Sequence, residues 1–583
     1  MSMKRKLLIL LLGSTMMVTA CSQGTANNDV KTENNTSTES EEFTGPKDYR
    51  SWTTSMSTFN PHMYTNSKAF SNLGTFVAAM ASSDGSNQLT FVPHHASELP
   101  TSSDGGTTWT IKIRDGLTWN DGTPLNAATY EYSMKMLLDP KLVNKNAVYM
   151  FDTVVVKGAK DYYAGNISWE DVGVKLINDN ELQIVLEYPA TDLDFFTSLG
   201  SLIWPVKEDL YEATMNEDRT STTYATTLDT TPSAGMFTLT EWITEGHDVH
   251  VVNENDPLVK EGYVHLDSIN RRYISSSATR SEMFFKNELD QHSLSGDEYT
   301  QYKNDPRANP TLSPHVWGYF VNGASENKIM QSQDFRNALH YATPRETICE
   351  DVYVLYPSTP YMISTGIYVG DPISGGEYYR DTAPAKAIEE KWATNPDKAL
   401  ELFNKAYEEN GGTPVTVEYI YFEGQEDQKR QAEVLQESLE NLFGKDRFTL
   451  ALRAVPPAAA YDLYRSGDYD LGLGVRLANV FNPWATLNVW TSDYADKYIT
   501  GFENEEFDEL QFESVYGSLV NDIKGKGEAL ARMEELLLEY GAFVPVMQND
   551  NTVMYHERME LSTTEYLPFI GYSTNQLDII SAP

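Results

Sequence analysis

Few residues of this sequence stand at spacings that could carry out covalent chemistry. His556-Glu557-Arg558-Met559-Glu560 begins like a two-histidine zinc helix. Glutamate stands where the second imidazole is needed one turn on, so a zinc ion would lose a ligand. His247 and His250 fall in a strand-like run, where a separation of three puts them on opposite faces. His94-His95 is no better spaced. Gly525-Lys526-Gly527 lacks the spacing of a phosphate loop, and Gly472-Leu473-Gly474 lacks the third glycine of a dinucleotide fingerprint. No Gly-x-Ser-x-Gly elbow is present. Cys349 is expected as a small buried hydrophobe. These residues predict no catalytic group, no metal, no cofactor and no enzyme.

Composition narrows the partners. The chain has 583 residues with 84 acids against 44 Lys and Arg, a formal charge of −40. A surface so acidic argues against nucleic acid. Most of its carboxylates are expected as solvated surface, so pairing two as acid and base would be arbitrary. Apolar residues make up 40% and aromatics 12%, enough for several large cores. The only two cysteines, Cys21 and Cys349, allow no disulfide framework.

The N-terminus reads as an address. Lys4-Arg5-Lys6 precedes an apolar run from Leu7 to about Val18, which is a signal-peptide pattern and too short to span a bilayer as a mature helix. Val18-Thr19-Ala20-Cys21 then resembles the bacterial lipobox, which predicts cleavage after residue 20 and a lipid on Cys21. The polar run after Cys21, to about residue 44, holds too little apolar surface to fold and would act as a tether of about 25 Å. The expected location is the extracytoplasmic face of a cell membrane, anchored by lipid.

Helices and strands alternate beyond the tether. Trp109 to Arg114 alternates with period two and predicts a strand. Asn126 caps a helix that carries Tyr130, Met134, Leu137 and Leu138 on one face. Leu182 to Leu186 is a further strand. Asn395-Pro396 opens a helix that Gly411-Gly412 ends. Val415–Tyr421, Gln428–Phe443 and Phe448–Arg453 read strand, helix, strand, a βαβ unit that requires a parallel pair. Glu528 to Tyr540 predicts a last long helix. The fold class is α/β, in several lobes.

One stretch is specific. Ser103-Asp104-Gly105-Gly106-Thr107-Thr108-Trp109 runs through Leu117-Thr118-Trp119-Asn120-Asp121-Gly122-Thr123-Pro124. It resembles the signature of the solute-binding proteins of peptide ABC importers, the oligopeptide- and dipeptide-binding family. Lys157 to Gly165, Phe335 to Ala342, Ser466 to Asp470, Asn482-Pro483 and Phe543 to Val546 keep the family's order.

The resemblance implies a bilobed clamp, like other periplasmic binding proteins, with an extra third domain. It implies a first lobe of residues 45–85, 201–296 and 545–583, an extra domain of 86–200 and a second lobe of 297–544. It also implies a peptide ligand, an ABC permease partner and a monomer. In the family the peptide is held extended, like an added strand. Arg476 and Asn479 carry over from the matched motif as ligand-binding residues; Val475 and Leu477 flank them, Tyr64 and Asn66 fall in the first-lobe segment expected to face them, and Tyr149 is expected to reach the cleft from the extra domain.

The sequence departs from the family at that site. The usual motif is Trp-x-Ala-Asp-Tyr-x-Asp-Pro, whose first Asp pairs with the peptide's α-ammonium. Here Arg476 stands at the Trp position and neutral Asn479 at the Asp. An amide compensates a buried ammonium poorly. This leaves open a blocked or acidic peptide or an oligosaccharide, for which Trp484 and Trp490 could supply stacking, and a sensor or adhesin uncoupled from transport.

Overall fold

The computed structural model describes residues 43–53, 56–63, 71–371, 376–475, 479–494, 497–573 and 576–583. Strand β1 (Asp48–Thr53) comes first, then β2 (Thr101–Ser102) and β3 (Thr108–Lys112) around the signature turn. There Asp104 Oδ1 accepts from the Thr107 and Thr108 amides at 3.1 and 2.8 Å. Gly106 has φ 98°, and a Cβ on it would fall 2.1 Å from the Ala190 carbonyl oxygen, so only glycine fits. Trp109 is fully buried, donates its indole N–H to Gly106 O, and stacks on Phe195 at 4.1 Å. Asn120 holds the Ser233 amide at 3.0 Å. These residues of the signature serve the fold: they make a turn, fill a core and tie two segments together.

Helix α1 (Ala127–Leu137) starts at a capping box between Asn126 and Thr129 and buries Tyr130, Met134 and Leu137. Strands β4 (Val174–Asn178) and β5 (Glu181–Val185) complete a sheet in the order β2-β3-β5-β4. The short α2 (Asp192–Phe195) follows. Strands β6 (Phe237–Ile243), β7 (His247–Val252) and β8 (Ser268–Tyr273) join β1 in a second sheet, β1-β8-β7-β6, with β1 parallel to β8. On β7 His250 is buried and His247 half-exposed, on opposite faces as period two requires.

The chain then makes β9 (Gln291–Ser293), β10 (Ala308–Thr311) and β11 (Val316–Val321). Asn395 caps α3 (Pro396–Glu409) through the Lys398 amide. Strand β12 (Val415–Phe422), α4 (Glu426–Phe443) and β13 (Phe448–Val455) form the βαβ unit, and β12 and β13 are parallel over eight residue pairs. Next come β14 (Leu471–Val475), α5 (Pro483–Thr486) and α6 (Ile523–Tyr540). Helix α6 begins five residues before the apolar stripe suggests. Asp522 caps the Gly525 amide at 2.9 Å, and the two glycines hide the start because they are poor helix formers. Strand β15 (Phe543–Gln548) closes a five-stranded sheet, β13-β12-β14-β11-β15.

Strand β16 (Asn551–Tyr555) returns from β15 and pairs antiparallel with both β9 and β10. Since β10 leads into β11 and β15 leads into β16, the two passages between the β1 sheet and the five-stranded sheet lie side by side. Asp290, fully buried beside β9, takes Arg50 Nη2 at 2.6 Å and Arg558 Nε at 2.9 Å. Among the described residues no helix is long and apolar enough to cross a membrane.

Candidate functional site

A cavity of about 430 Å³ opens where the β1 sheet meets the two passages. Ser51 and Trp52 of β1, Arg271 of β8, Gln291 of β9 and Asn551 of β16 line it, with Phe569 to Tyr572 from the C-terminal loop. Its size and its mix of aromatic and polar walls suit a small ligand or part of a longer one. Arg271 is fixed from below: its Nε donates to Asp248 Oδ1 at 2.6 Å, and its Nη2 lies 2.7 Å from His250 Nε2. Burial alone would push the Asp248 carboxyl up, but the His250 hydrogen bond and the Arg271 charge outweigh it and hold it down. Burial keeps His250 neutral by lowering its pKa.

The residues on either side of the end of β14 lie near this cavity without lining it. Val475 pairs with Trp317 on β11, just past the passage that carries Thr311 and Leu312 along the cavity. Phe481 lies 6.1 Å from Phe569 of the cavity wall. Asn479 lies between them. Its Oδ1 accepts from the Phe481 and Asn482 amides at 3.0 and 3.1 Å, so the acceptor end of the amide is used in a turn, and among the described residues nothing accepts from its Nδ2. Neither Val475 nor Asn479 lines the cavity itself. Tyr149 packs at 6.5 Å from Trp204, and burial raises its hydroxyl pKa. Tyr64, Asn66, Arg476, Leu477 and Cys21 lie outside the described residues.

Trp484 and Trp490 are 1% and 7% exposed and pack in the core of the five-stranded sheet's body rather than offering stacking faces to solvent. Cys349 is buried, and burial pushes its thiol up to about 12. His94, His95 and Asp256 come together within 4.8 Å. His94 Nε2 meets Asp256 Oδ2 at 2.8 Å while its Nδ1 accepts from the Thr75 amide. Tyr130 spends its proton on Gly74 O, so His95 Nδ1 donates to it at 2.8 Å. The His95 Nε2 edge is packed against Gly74, where an added Cβ would fall 2.1 Å away. These three side chains are held by hydrogen bonds among themselves or to their buried surroundings.

The sequence profile of the family described as "Bacterial extracellular solute-binding proteins, family 5 Middle" matches residues 90–498. The chain belongs to this family. Family 5 members are solute-binding proteins rather than enzymes. The oligopeptide-binding protein OppA of Bacillus subtilis is 25% identical over 480 residues, spanning 80% of this chain and 81% of its own. The substrate-binding domain of an oligopeptide ABC transporter from Bacillus anthracis superposes with a TM-score of 0.70 at 21% identity, over 93% of this chain and all of its own. Listeria monocytogenes OppA, solved with peptide bound, gives 0.67 at 19% identity, over 92% and 100%.

The family 5 fold is an α/β clamp of two lobes with an extra third domain. Arg271, Gln291 and Phe569 escaped the reading of the sequence because no local motif marks them. Arg271 and Phe569 reach one cavity only when segments nearly 300 positions apart meet.

Proposed function

We propose that this chain is a lipid-anchored extracytoplasmic receptor that captures peptides and delivers them to an ABC permease. The observation that carries the reading is the placement of Val475 and Phe481. Val475 pairs with Trp317 just past the passage, and Phe481 lies against the cavity wall at Phe569. A strand end beside a cleft is suited to hold an extended chain by its backbone. The peptide-binding relatives supply the ligand class.

In this reading the lobes are residues 45–85, 201–296 and the tail for the first, and 297–544 for the second. They close about the paired β10 and β16 passages, with 86–200 as the extra domain. The ligand-binding residues in this reading are Val475, Arg476, Leu477 and Asn479 of the second lobe, Tyr64 and Asn66 of the first, and Tyr149 of the extra domain. The mature receptor is a monomer held by a lipid on Cys21, and Cys21→Ala releases it from the membrane fraction. Asn479, with its acceptor end occupied, favours a ligand whose amino end needs no carboxylate, such as a blocked peptide. Thermal-shift screening tests the ligand class: peptide pools raise the melting temperature and oligosaccharide panels do not. The reverse pattern would replace peptide by sugar.

A further inference from the structure

Away from the cleft, a second cavity of about 430 Å³ lies between the third domain and the lobe of the five-stranded sheet. The Gly105-Gly106 turn and Asp192 wall it on one side; Phe481, Trp484 and Lys526 wall it on the other. It shares no lining residue with the cleft. The Phe481–Phe569 pair separates the two, with Phe481 on this cavity and Phe569 on the cleft.

Lys526 is the unusual group. It is only 7% exposed, sits in the first turns of α6 and lines the cavity. Its ammonium stands 4.4 Å from the centre of the Trp484 ring, whose N–H donates to the Lys526 carbonyl at 2.8 Å. Among the described residues no side chain gives this ammonium a hydrogen bond or an ion pair. Asp194 is the acid whose charge reaches it. Both Asp194 oxygens are committed, one to Asn482 at 2.8 Å and one to Thr191 at 2.7 Å. Burial lowers the Lys526 pKa, as expected for a cation short of a partner. A stacked ring offsets part of that cost and an anion would offset more.

The rest of the wall sets the kind of anion. Asp192 is exposed at the rim, and Asp194 adds a second carboxylate deeper in the wall. Those charges repel a phosphate or a dicarboxylate and attract a cationic end. Leu193 and the exposed Ile523 supply an apolar wall. We propose that this cavity is a second binding site, for a free α-amino acid with an apolar side chain. Its carboxylate pairs with Lys526, its ammonium points to Asp192, and its side chain rests on Leu193 and Ile523. Because the walls come from two bodies of the fold, the occupant holds them together. The proposal stands apart from the peptide reading of the cleft.

Calorimetry with L-phenylalanine and L-leucine tests it, beside phenylalaninamide, which lacks the carboxylate, and N-acetylphenylalanine, which lacks the ammonium. Wild type binds both free amino acids, and each blocked form is weaker by about tenfold or more, the loss of one charge-assisted contact. Lys526→Met weakens phenylalanine by at least as much, yet melts cooperatively and keeps its thermal response to peptide pools. The proposal is overturned if neither amino acid binds wild type at millimolar concentration, if the amide binds as well as the acid, or if Lys526→Met binds phenylalanine unchanged. A missing peptide response alongside intact phenylalanine binding would sink the cleft reading alone.

Discussion

Asn482 donates from Nδ2 to Asp194 Oδ1 at 2.8 Å, across 288 residues of sequence. The same Asn482 caps α5 through the Ala485 amide. The bond therefore joins the end of the proposed ligand stretch to α2 of the third domain. Tyr516 reinforces that junction, with its ring 4.5 Å from Tyr188 and its hydroxyl donating to Asp152 O at 3.1 Å.

A bond between the moving parts of a clamp should count in ligand release. Asp194→Ala and Asn482→Ala each raise the dissociation rate of a bound peptide. Because Asn482 also caps a helix, the pair is separated by a double-mutant cycle. Its coupling energy is expected within roughly 0.5–3 kcal/mol. A coupling of zero means the bond plays no part in closure.

The five-stranded lobe hides a charge that its neighbours hold fully. Glu534 is 0% exposed, and it pairs with Arg380, accepts from Tyr379 Oη at 2.8 Å, and accepts from the Met362 and Ile363 amides at 2.8 Å each. Glu534→Ala leaves Arg380 buried and unpaired, so urea unfolding should show a loss of about 3–5 kcal/mol. Glu534→Leu with Arg380→Met should recover much of it, since both charges are gone.

Stability should fall in mild acid. His62 bridges Tyr211 and Ser133 at 3.2 Å each, and Ser133 gives its proton to Trp204 O. Ser133 therefore accepts from Nε2–H, and the imidazole is neutral. Burial lowers its pKa from 6.5 to about 3. The unfolded chain takes up the proton first, so this histidine's contribution is intact above pH 6.5 and shrinks as pH falls toward 3. The slope is about 1.4 kcal/mol per pH unit for one proton. His95, also lowered to about 3, adds to it. His62→Gln keeps a donor and an acceptor and should flatten the urea-midpoint curve between pH 6.5 and 5. An unchanged slope would place the acid sensitivity elsewhere.

Asn479 tests the amino end of the ligand. Asn479→Asp can keep one oxygen on the Phe481 and Asn482 amides and frees the other as a charged acceptor. Affinity for free-amino peptides should rise by roughly tenfold or more over their acetylated forms, the worth of a charge-assisted hydrogen bond. If wild type already prefers the free amine tenfold, another acid supplies the pairing.

The regular elements were legible because their signals are local. The Asn126 box, the Asn395-Pro396 start and the alternation around Trp109 each lie within a few residues, and local rules read them well. The βαβ unit followed from the short links between its parts. The candidate site was legible only through the motif at Asn482-Pro483. What the sequence hid was pairing at a distance: Asp194 with Asn482, Asp290 with Arg558, Arg271 beneath the cleft. One such residue looks like any surface charge until its partner arrives. Lys526 was hidden differently, because flanking glycines made it look like part of a failed phosphate loop rather than the start of α6.

The central claim is that the cleft holds peptide. Native mass spectrometry of the purified Cys21→Ala chain, isolated without denaturant, tests it most directly. The account predicts one retained ligand per chain, lost on partial unfolding, whose fragments read as amino-acid residues. Exchange should occur with an added peptide pool, and at a hundredfold excess over the dissociation constant the protein gains about 2.7 kcal/mol of stability. A retained ligand that fragments as a sugar, or a chain that neither retains nor takes up any peptide, would contradict it.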